Sequence, residues 1–215
     1  MSESMEIETE IKIPVFDAAK QIKIRLNTPE GAKEVELRFP SDEELCERQR
    51  KRKVISKNLG RGMSQSKVPN AEVIEGEFLR KLRVDKNAVE IDDYEATFIV
   101  DQILEANVDD IQPEADGYRV FLRVPGGVVT EHLTKMPTAK QIVQYGRKFI
   151  EFLDGPLGQR IMTVNLAASG ELYAEIHKES KGYAGTIPIH HKAEVIKAAN
   201  EAVKSGLGVS DSETF

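Results

Sequence analysis

The four histidines carry the most versatile chemistry in the chain, because imidazole can bind a metal ion or act as an acid or base near neutral pH. They lie at positions 132, 177, 190 and 191. His190 and His191 are adjacent, so on a helix their side chains point about 100° apart and cannot both face one metal ion as an i, i+4 pair does. This spacing favours a helix-start or surface position for the pair. For His132 the pattern favours a cross-strand or surface position over a metal site.

Other residue types that support catalysis lack the neighbours that such chemistry requires. Cys46 is the single cysteine, which excludes an internal disulfide and leaves no partner for a zinc knuckle. No G-x-S-x-G elbow, Walker loop or dinucleotide fingerprint occurs in the sequence. The segment Gly60-Arg61-Gly62 is no dinucleotide fingerprint, because it lacks the third glycine and no strand is predicted before it. The sequence therefore predicts a protein that is not an enzyme and has no cofactor or metal ion.

A run of basic residues is the clearest charged feature. It follows the acids of the segment SDEELCERQRKRKVISKNLGRG and consists of Arg48, Arg50, Lys51, Arg52, Lys53, Lys57 and Arg61. Acids at the start and bases at the end of a helix complement its dipole, so one interpretation is a solvated helix. The other is that this basic end binds an acidic protein partner or, less favoured, a nucleic acid backbone. Because no aromatic residues are interleaved to stack bases, we expect a protein partner.

Composition and length fit one large folded domain or two small ones. The chain has 215 residues, of which 40% are hydrophobic and 31% charged, with a net charge of −6. Residues 1–19 hold five acids and one lysine, so the remainder is nearly neutral, which argues against a dedicated nucleic-acid binder. No apolar stretch approaches the roughly 20 residues of a membrane helix, and the acidic start is unlike a signal peptide. We therefore expect a cytoplasmic protein without a membrane partner.

The elements that would position these residues occur twice in the sequence. Segments starting at Ile24 and Val120 each alternate apolar residues, turn at a proline and a glycine, and alternate again, as a β-hairpin does. Each hairpin is followed by a proline and a helix-capping box, Ser41-x-x-Glu44 in the first case and Thr138-x-x-Gln141 in the second. Two equivalent boxes behind two equivalent hairpins predict a tandem duplication.

We therefore predict an α+β fold made of two copies of a β-hairpin followed by about three helices. The predicted organisation is an acidic arm (1–19), unit one (20–107), an acidic linker that contains a proline (108–116), unit two (117–203) and a flexible tail (204–215). The last helix of each unit is expected near 92–106 and 190–204, from apolar residues at helical spacing. Separate lobes and one continuous sheet are both compatible with the pattern.

The two units differ most in the helix that follows the hairpin. In unit two an apolar stripe ends at Asp154-Gly155-Pro156 and predicts a packed helix; its residues are Ile142, Gly146, Phe149, Ile150 and Leu153. In unit one the same region is the charged segment that contains the basic run, which predicts an exposed helix. The partner surface is therefore expected in unit one.

A short motif at the end of each hairpin resembles the start of the tail assembly chaperones of tailed bacteriophages. The motif is Leu37-Arg38-Phe39-Pro40-Ser41 in unit one and, more loosely, Leu133-Thr134-Lys135-Met136-Pro137-Thr138 in unit two. The resemblance implies a non-enzymatic phage assembly factor in the host cytoplasm, which binds tape-measure or tail-tube subunits before the tail forms. The expected contacts are the seven residues of the basic run.

Two other functions fit the same sequence. A structural component of a phage tail or connector would self-assemble into an oligomer through its hairpins, which would add strands to neighbouring subunits. A nucleic-acid-binding protein would use the basic segment 48–67 and would bind with a steep salt dependence.

Overall fold

A computed structural model describes residues 14–29, 31–60, 63–85, 89–154 and 160–206. In these residues six α-helices and three antiparallel sheets confirm the α+β class. The first half of the chain contains β1 (Ile22–Thr28), β2 (Gly31–Leu37), α1 (Asp42–Lys51), β3 (Val54–Gly60), β4 (Met63–Lys67), α2 (Ala71–Leu82) and α3 (Asp93–Ile103). None of the described helices combines the length and apolarity that crossing a membrane requires.

The second half repeats this order and adds two strands. It contains β5 (Asn107–Glu114), β6 (Gly117–Val124), β7 (Val128–Lys135), α4 (Ala139–Phe149), β8 (Ile150–Asp154), β9 (Arg160–Val164), α5 (Leu166–Ile176), β10 (His177–Lys181) and α6 (Ile189–Lys204). Hairpin, helix, hairpin, helix and helix follow one another in both halves, with β5 and β10 as the additions. The duplication stays a prediction, and this shared order is the structural observation that bears on it.

The capping boxes form as predicted and set where α1 and α4 begin. The Ser41 hydroxyl accepts a hydrogen bond from the Glu44 N–H at 3.2 Å, and the Glu44 carboxylate accepts one from the Ser41 N–H at 2.9 Å. Thr138 and Gln141 make the same reciprocal pair at 3.3 and 2.9 Å. Each box satisfies two backbone donors that have no partner inside the helix.

The helices that follow these boxes are shorter than predicted, because each gives way to a second hairpin. In the first half α1 ends at Lys51, and β3 pairs with β4. In the second half α4 ends at Phe149, so Ile150 and Leu153 belong to β8 rather than to a helical stripe. The spacing of these apolar residues fits a helix, but the run Ile150–Leu153 is also rich in the β-branched and aromatic types that favour strands. Residues 155 and 156 lie outside the described residues.

The packing of the two helices is also the reverse of the prediction. Helix α4 has no fully buried residue, whereas α1 buries Leu45 and partly buries Arg48. The apolar stripe of α4 is therefore only half covered, with Tyr145 and Phe149 stacked at 4.8 Å between ring centroids. The charged sequence of α1 predicts an exposed helix, but Arg48 and Arg52 at its end pair with Glu75, which is far away in sequence.

The segment 108–116, predicted as a linker, forms most of strand β5 and the turn after it. Strand β5 pairs with β6 in an antiparallel register that places Ile111 opposite Val120. It lies at the edge of the four-stranded sheet β10-β7-β6-β5 and is exposed along nearly its whole length. An exposed edge accounts for its acidic residues and tolerates Pro113, which has no N–H to donate.

One hydrophobic core joins the two halves, so they are not separate lobes. Buried residues of β2 and α3, such as Val35 and Ile99, belong to the same cluster as Val120 of β6 and Val195 of α6. A second four-stranded sheet, with the order β4-β3-β9-β8, also takes two strands from each half. The core and this shared sheet together fix how α1, α4 and α6 face one another.

Two glycines test the close packing in this arrangement. A Cβ on Gly117 would lie 1.8 Å from the carbonyl oxygen of Thr134, whereas a Cβ on Gly146 in α4 would meet no atom within 4 Å. Gly117→Ala should lower the free energy of unfolding by about 3 kcal/mol, because the backbone of β6 and β7 must separate. Gly146→Ala should raise it by about 1 kcal/mol through helix propensity. Urea denaturation of both variants checks the pair, and equal effects would contradict the close approach at Gly117.

Candidate protein-binding cleft

The first residue of the predicted basic run is an interior cation. The Arg48 side chain donates from Nε and Nη2 to the Glu75 carboxylate at 2.7 and 2.8 Å, and Arg52 donates to the same carboxylate at 2.6 Å. Glu75 is only 1% exposed. The Arg48 guanidinium also lies 5.4 Å from the ring centroid of Phe78. These contacts fasten α1 to α2. No local pattern in the sequence predicts them, because the partners are 27 and 23 residues apart.

The other predicted basic residues have varied surroundings. Lys51 forms ion pairs with Glu47 at 3.4 Å and Glu77 at 3.2 Å. Arg50 and Lys53 are exposed and form no ion pair within the described part of the chain. The backbone of Lys57 lies in β3 opposite Gln65, its side chain is not described, and Arg61 lies outside the described residues. Three of the five described side chains, those of Arg48, Lys51 and Arg52, are therefore neutralised internally.

Beside α1 the two halves enclose an open cleft of about 490 Å³. This volume lies in the range of protein sites that bind ligands or anchoring side chains, about 300 to 1,000 Å³. One wall is largely apolar and is contributed by Leu45, Leu104, Ala106, Tyr145, Phe149, Val164 and Leu166. Helix α6 contributes a more polar part of the lining, which consists of His190, Ala193, Glu194, Lys197, Asn200, Glu201 and Lys204. Arg48 and Gln49 of α1 complete the lining.

Two polar groups in this lining have no hydrogen-bond partner. The Asn200 side-chain oxygen and both ring nitrogens of His190 are buried and unpaired within the described residues. A buried polar atom without a partner costs about 1 to 3 kcal/mol, so a bound molecule that pairs with it gains that amount. Asn200 offers an acceptor, and neutral His190 offers one donor and one acceptor. The cleft therefore combines apolar area with a small number of convergent polar groups.

Behind the cleft, His190 adjoins a buried cluster that contains the other three histidines. His132 contacts the Tyr173 hydroxyl at 2.9 Å through Nδ1 and the Tyr183 hydroxyl at 3.1 Å through Nε2. The Tyr183 hydroxyl also lies 3.1 Å from Nδ1 of His191. The His177 ring stacks on Tyr173 at 4.7 Å, and the His190 and His191 ring centroids are 4.3 Å apart.

This cluster decides between the alternatives predicted for the histidines. His190 and His191 lie in the first turn of α6, which begins at Ile189, and His132 lies in β7 opposite Val120, so the helix-start and cross-strand positions are confirmed. The surface alternative is wrong for His132 and His191, which are fully buried. The inward face of β7 carries Thr130, His132 and Thr134, all fully buried. Polar residues on an inward face escape a pattern that equates polarity with solvent.

Burial keeps these histidines neutral. It lowers the pKa of His132 and of His190 to about 3, and that of His191 to about 2. Arg48 lowers the pKa of His190 further, and neighbouring histidines do the same for His132 and His191. Burial also raises the pKa of the Tyr173 and Tyr183 hydroxyls. Within the described residues no three His, Cys, Asp or Glu side chains are arranged to hold a metal ion. The neutral rings of His132 and His191 form hydrogen bonds with tyrosine hydroxyls in the core, whereas that of His190 has no such partner within the described residues.

Glu75 is the first residue to test, because it neutralises two arginines. Glu75→Gln removes the negative charge and leaves Arg48, which is 10% exposed, beside a neutral amide. We expect the free energy of unfolding to fall by about 3 kcal/mol. Glu77→Gln is the matched control, since its ion pair with Lys51 is about half exposed and should be worth less than about 1 kcal/mol. Similar losses in urea denaturation of the two variants would contradict the interior role of Glu75.

The neutral histidines predict a pH dependence of stability. Their pKa values in the folded protein lie below the unfolded value near 6.5, so the unfolded chain binds protons that the folded chain does not, and stability falls as the pH drops below about 6.5. Each such histidine contributes about 1.4 kcal/mol per pH unit. Burial also lowers the pKa of His177, so all four histidines contribute in this direction. His190→Phe removes one of the four groups without leaving a hydrogen-bond partner unpaired.

The measurement is the free energy of unfolding at several pH values between about 6.5 and 5, above the titration of ordinary carboxylates. The slope should fall by roughly one quarter to one third in the variant, in proportion to the share of His190 among the four histidines whose pKa is lowered. A slope identical to that of the parent protein would show that His190 titrates normally in the folded state.

Comparisons with protein-family models, with curated proteins and with solved structures found no match. The functional interpretation of the cleft therefore depends on the residues of this chain and on the short motif that resembles the tail assembly chaperones.

Proposed function

We propose that this chain is a non-enzymatic assembly factor of the tail-assembly-chaperone kind, which binds a tape-measure or tail-tube subunit in the host cytoplasm. The observation that carries the proposal is the cleft between α1, α4 and α6, whose apolar wall faces unpaired polar atoms. The motif at Leu37–Ser41 supplies the class of partner.

The lining of the cleft suits a polypeptide segment. An apolar side chain of the partner would cover Tyr145 and Phe149, which the rest of the chain leaves partly exposed. A backbone N–H of the same segment could donate to the Asn200 oxygen, which has no donor within the described residues. The rim carries both signs of charge along α6, as Glu194, Lys197, Glu201 and Lys204. An apolar centre with a polar rim is the usual anatomy of a specific protein interface.

Helix α1 contributes in a different way from the one predicted. Leu45, Arg48 and Gln49 form part of the cleft wall, and the ion pairs of Arg48 and Arg52 with Glu75 hold that wall in place before any partner arrives. A wall ordered in advance reduces the entropy lost on binding. Arg50 and Lys53 remain exposed on or just beyond this helix and can pair with acidic residues that flank the bound segment.

Ala193 offers a direct test, because it lies on α6 in the lining of the cleft. Ala193→Trp should fill the cleft and weaken binding of the partner at least about tenfold, equivalent to about 1.4 kcal/mol. Ala174→Trp makes the same substitution at an exposed position of α5 that does not line the cleft and should leave binding unchanged. The measurement is co-purification with co-expressed tape-measure and tail-tube proteins, followed by calorimetric titration.

Failure of both phage proteins to co-purify with the parent chain would contradict the proposed function. Equal binding by the two tryptophan variants would contradict the cleft as the binding site while leaving the function standing.

A further inference from the structure

The sheet that joins the two halves is built from two hairpins. Strands β3 and β4 follow α1, and strands β8 and β9 follow α4. The hairpins meet through β3 and β9, which pair antiparallel with Val54 opposite Met162, Ile55 opposite Ile161 and Ser56 opposite Arg160. The strand order is therefore β4-β3-β9-β8.

The strands that meet at this joint do not occupy equivalent places in the two halves. Strand β3 is the first strand of its hairpin, as β8 is, while β9 is the second strand of its hairpin, as β4 is. A symmetric joint would pair β3 with β8 or β4 with β9. The observed joint pairs a first strand with a second strand, which is the head-to-tail type of contact.

A head-to-tail joint leaves one strand of each type unpaired at the two outer edges. Among the described strands, β8 pairs only with β9 and β4 pairs only with β3. Strand β8 exposes two large apolar side chains at its edge, Phe152 at 64% and Leu153 at 50%. The described side chains of β4, those of residues 65–67, are exposed as well. An open edge with apolar residues is a template for pairing with another strand.

We propose that copies of this chain associate head to tail, with β8 of one copy paired to β4 of the next. Every neighbouring pair in the sheet is antiparallel, so β8 runs in the same direction as β3, and β4 runs in the same direction as β9. A second copy placed beside β8 with its β4 therefore repeats the polarity of the internal joint. The occupant of the edge is a second copy because the chain already contains this contact once.

The internal joint also predicts the register of the contact. The first pair of the β3–β4 hairpin is Ile55 with Lys67, and that of the β8–β9 hairpin is Ile150 with Val164. We take these first pairs as equivalent, so that Ile150 corresponds to Ile55 and Val164 to Lys67. Ile161 lies three residues before Val164, and Ser64 lies three residues before Lys67. The internal pair of Ile55 with Ile161 therefore becomes Ile150 of one copy opposite Ser64 of the next. This association does not occupy the α6 wall of the cleft and is independent of the proposed function.

Site-directed cross-linking of the full chain distinguishes this geometry from others. Two variants are made on a Cys46→Ser background, one with Ile150→Cys and one with Ser64→Cys, and each is treated with a short bifunctional thiol reagent. We expect cross-linked dimers when the two variants are mixed and almost none when either is treated alone. Dimers of the Ile150→Cys variant alone would indicate symmetric β8 pairing and overturn the proposal, as would a mixture that yields no cross-link.

Sedimentation of the cysteine-free chain over a wide concentration series provides the second readout. The parent chain should form species larger than a monomer as its concentration rises, while the double variant Phe152→Lys, Leu153→Lys should stay monomeric, because lysines protect a sheet edge. The control is Tyr94→Lys with Phe98→Lys, which removes another exposed aromatic pair, on α3. A monomeric parent at every concentration, or association lost only in the α3 variant, would overturn the proposal.

Discussion

The buried carboxylate of Glu75 is the constraint on which the first half of the molecule and its contacts with the second depend. A carboxylate that is 1% exposed requires compensating charge, and both cations that supply it come from the C-terminal end of α1 and the residue after it. The pairing sets the direction of α1 across α2. Because β3 begins two residues after Arg52, the same pairing determines where the chain enters the shared sheet and meets β9. The α1 wall of the cleft is fixed by the same interaction.

Local signals in the sequence predicted the features that depend on local physics. The capping boxes at Ser41 and Thr138 and the alternation of the β1–β2 and β6–β7 hairpins involve residues a few positions apart, and all of them formed. The second hairpins were missed because Ile150–Leu153 fits two periodicities, and pairing with β9 decided between them. Glu75 carries no local signal at all, since an acid on an amphipathic helix is usually solvated. The cleft could not be predicted, because its lining comes from five separate stretches of chain.

The two halves share an order of elements but divide their tasks. Helix α1 packs through long-range ion pairs, and carboxylates of the same chain neutralise most of the positive charge at its C-terminal end. Helix α4 has a well-defined apolar face and buries no residue completely. A partly covered apolar helix face indicates a binding surface more strongly than a basic run does when the partners of that run lie within the same chain. We therefore expect a partner to bind in the cleft that α1 and α4 both line, rather than on the exposed charges of α1.

The interior polar groups separate into satisfied and unsatisfied sets, and the boundary between them runs through His190. Deeper in the core, His132, Tyr173, Tyr183 and His191 donate to and accept from one another, so this network is worth roughly 1 kcal/mol per hydrogen bond and specifies one arrangement of β7, α5 and α6. On the cleft side, His190 and Asn200 have no such partners within the described residues. Other buried atoms of the described residues are also unpaired, namely Thr163 Oγ1, His177 Nε2 and His191 Nε2, but only His190 and Asn200 belong to the lining of the cleft. A partner that pairs with His190 and Asn200 would recover desolvation free energy that folding alone leaves unrecovered, and this is the physical reason to expect a bound segment in the cleft.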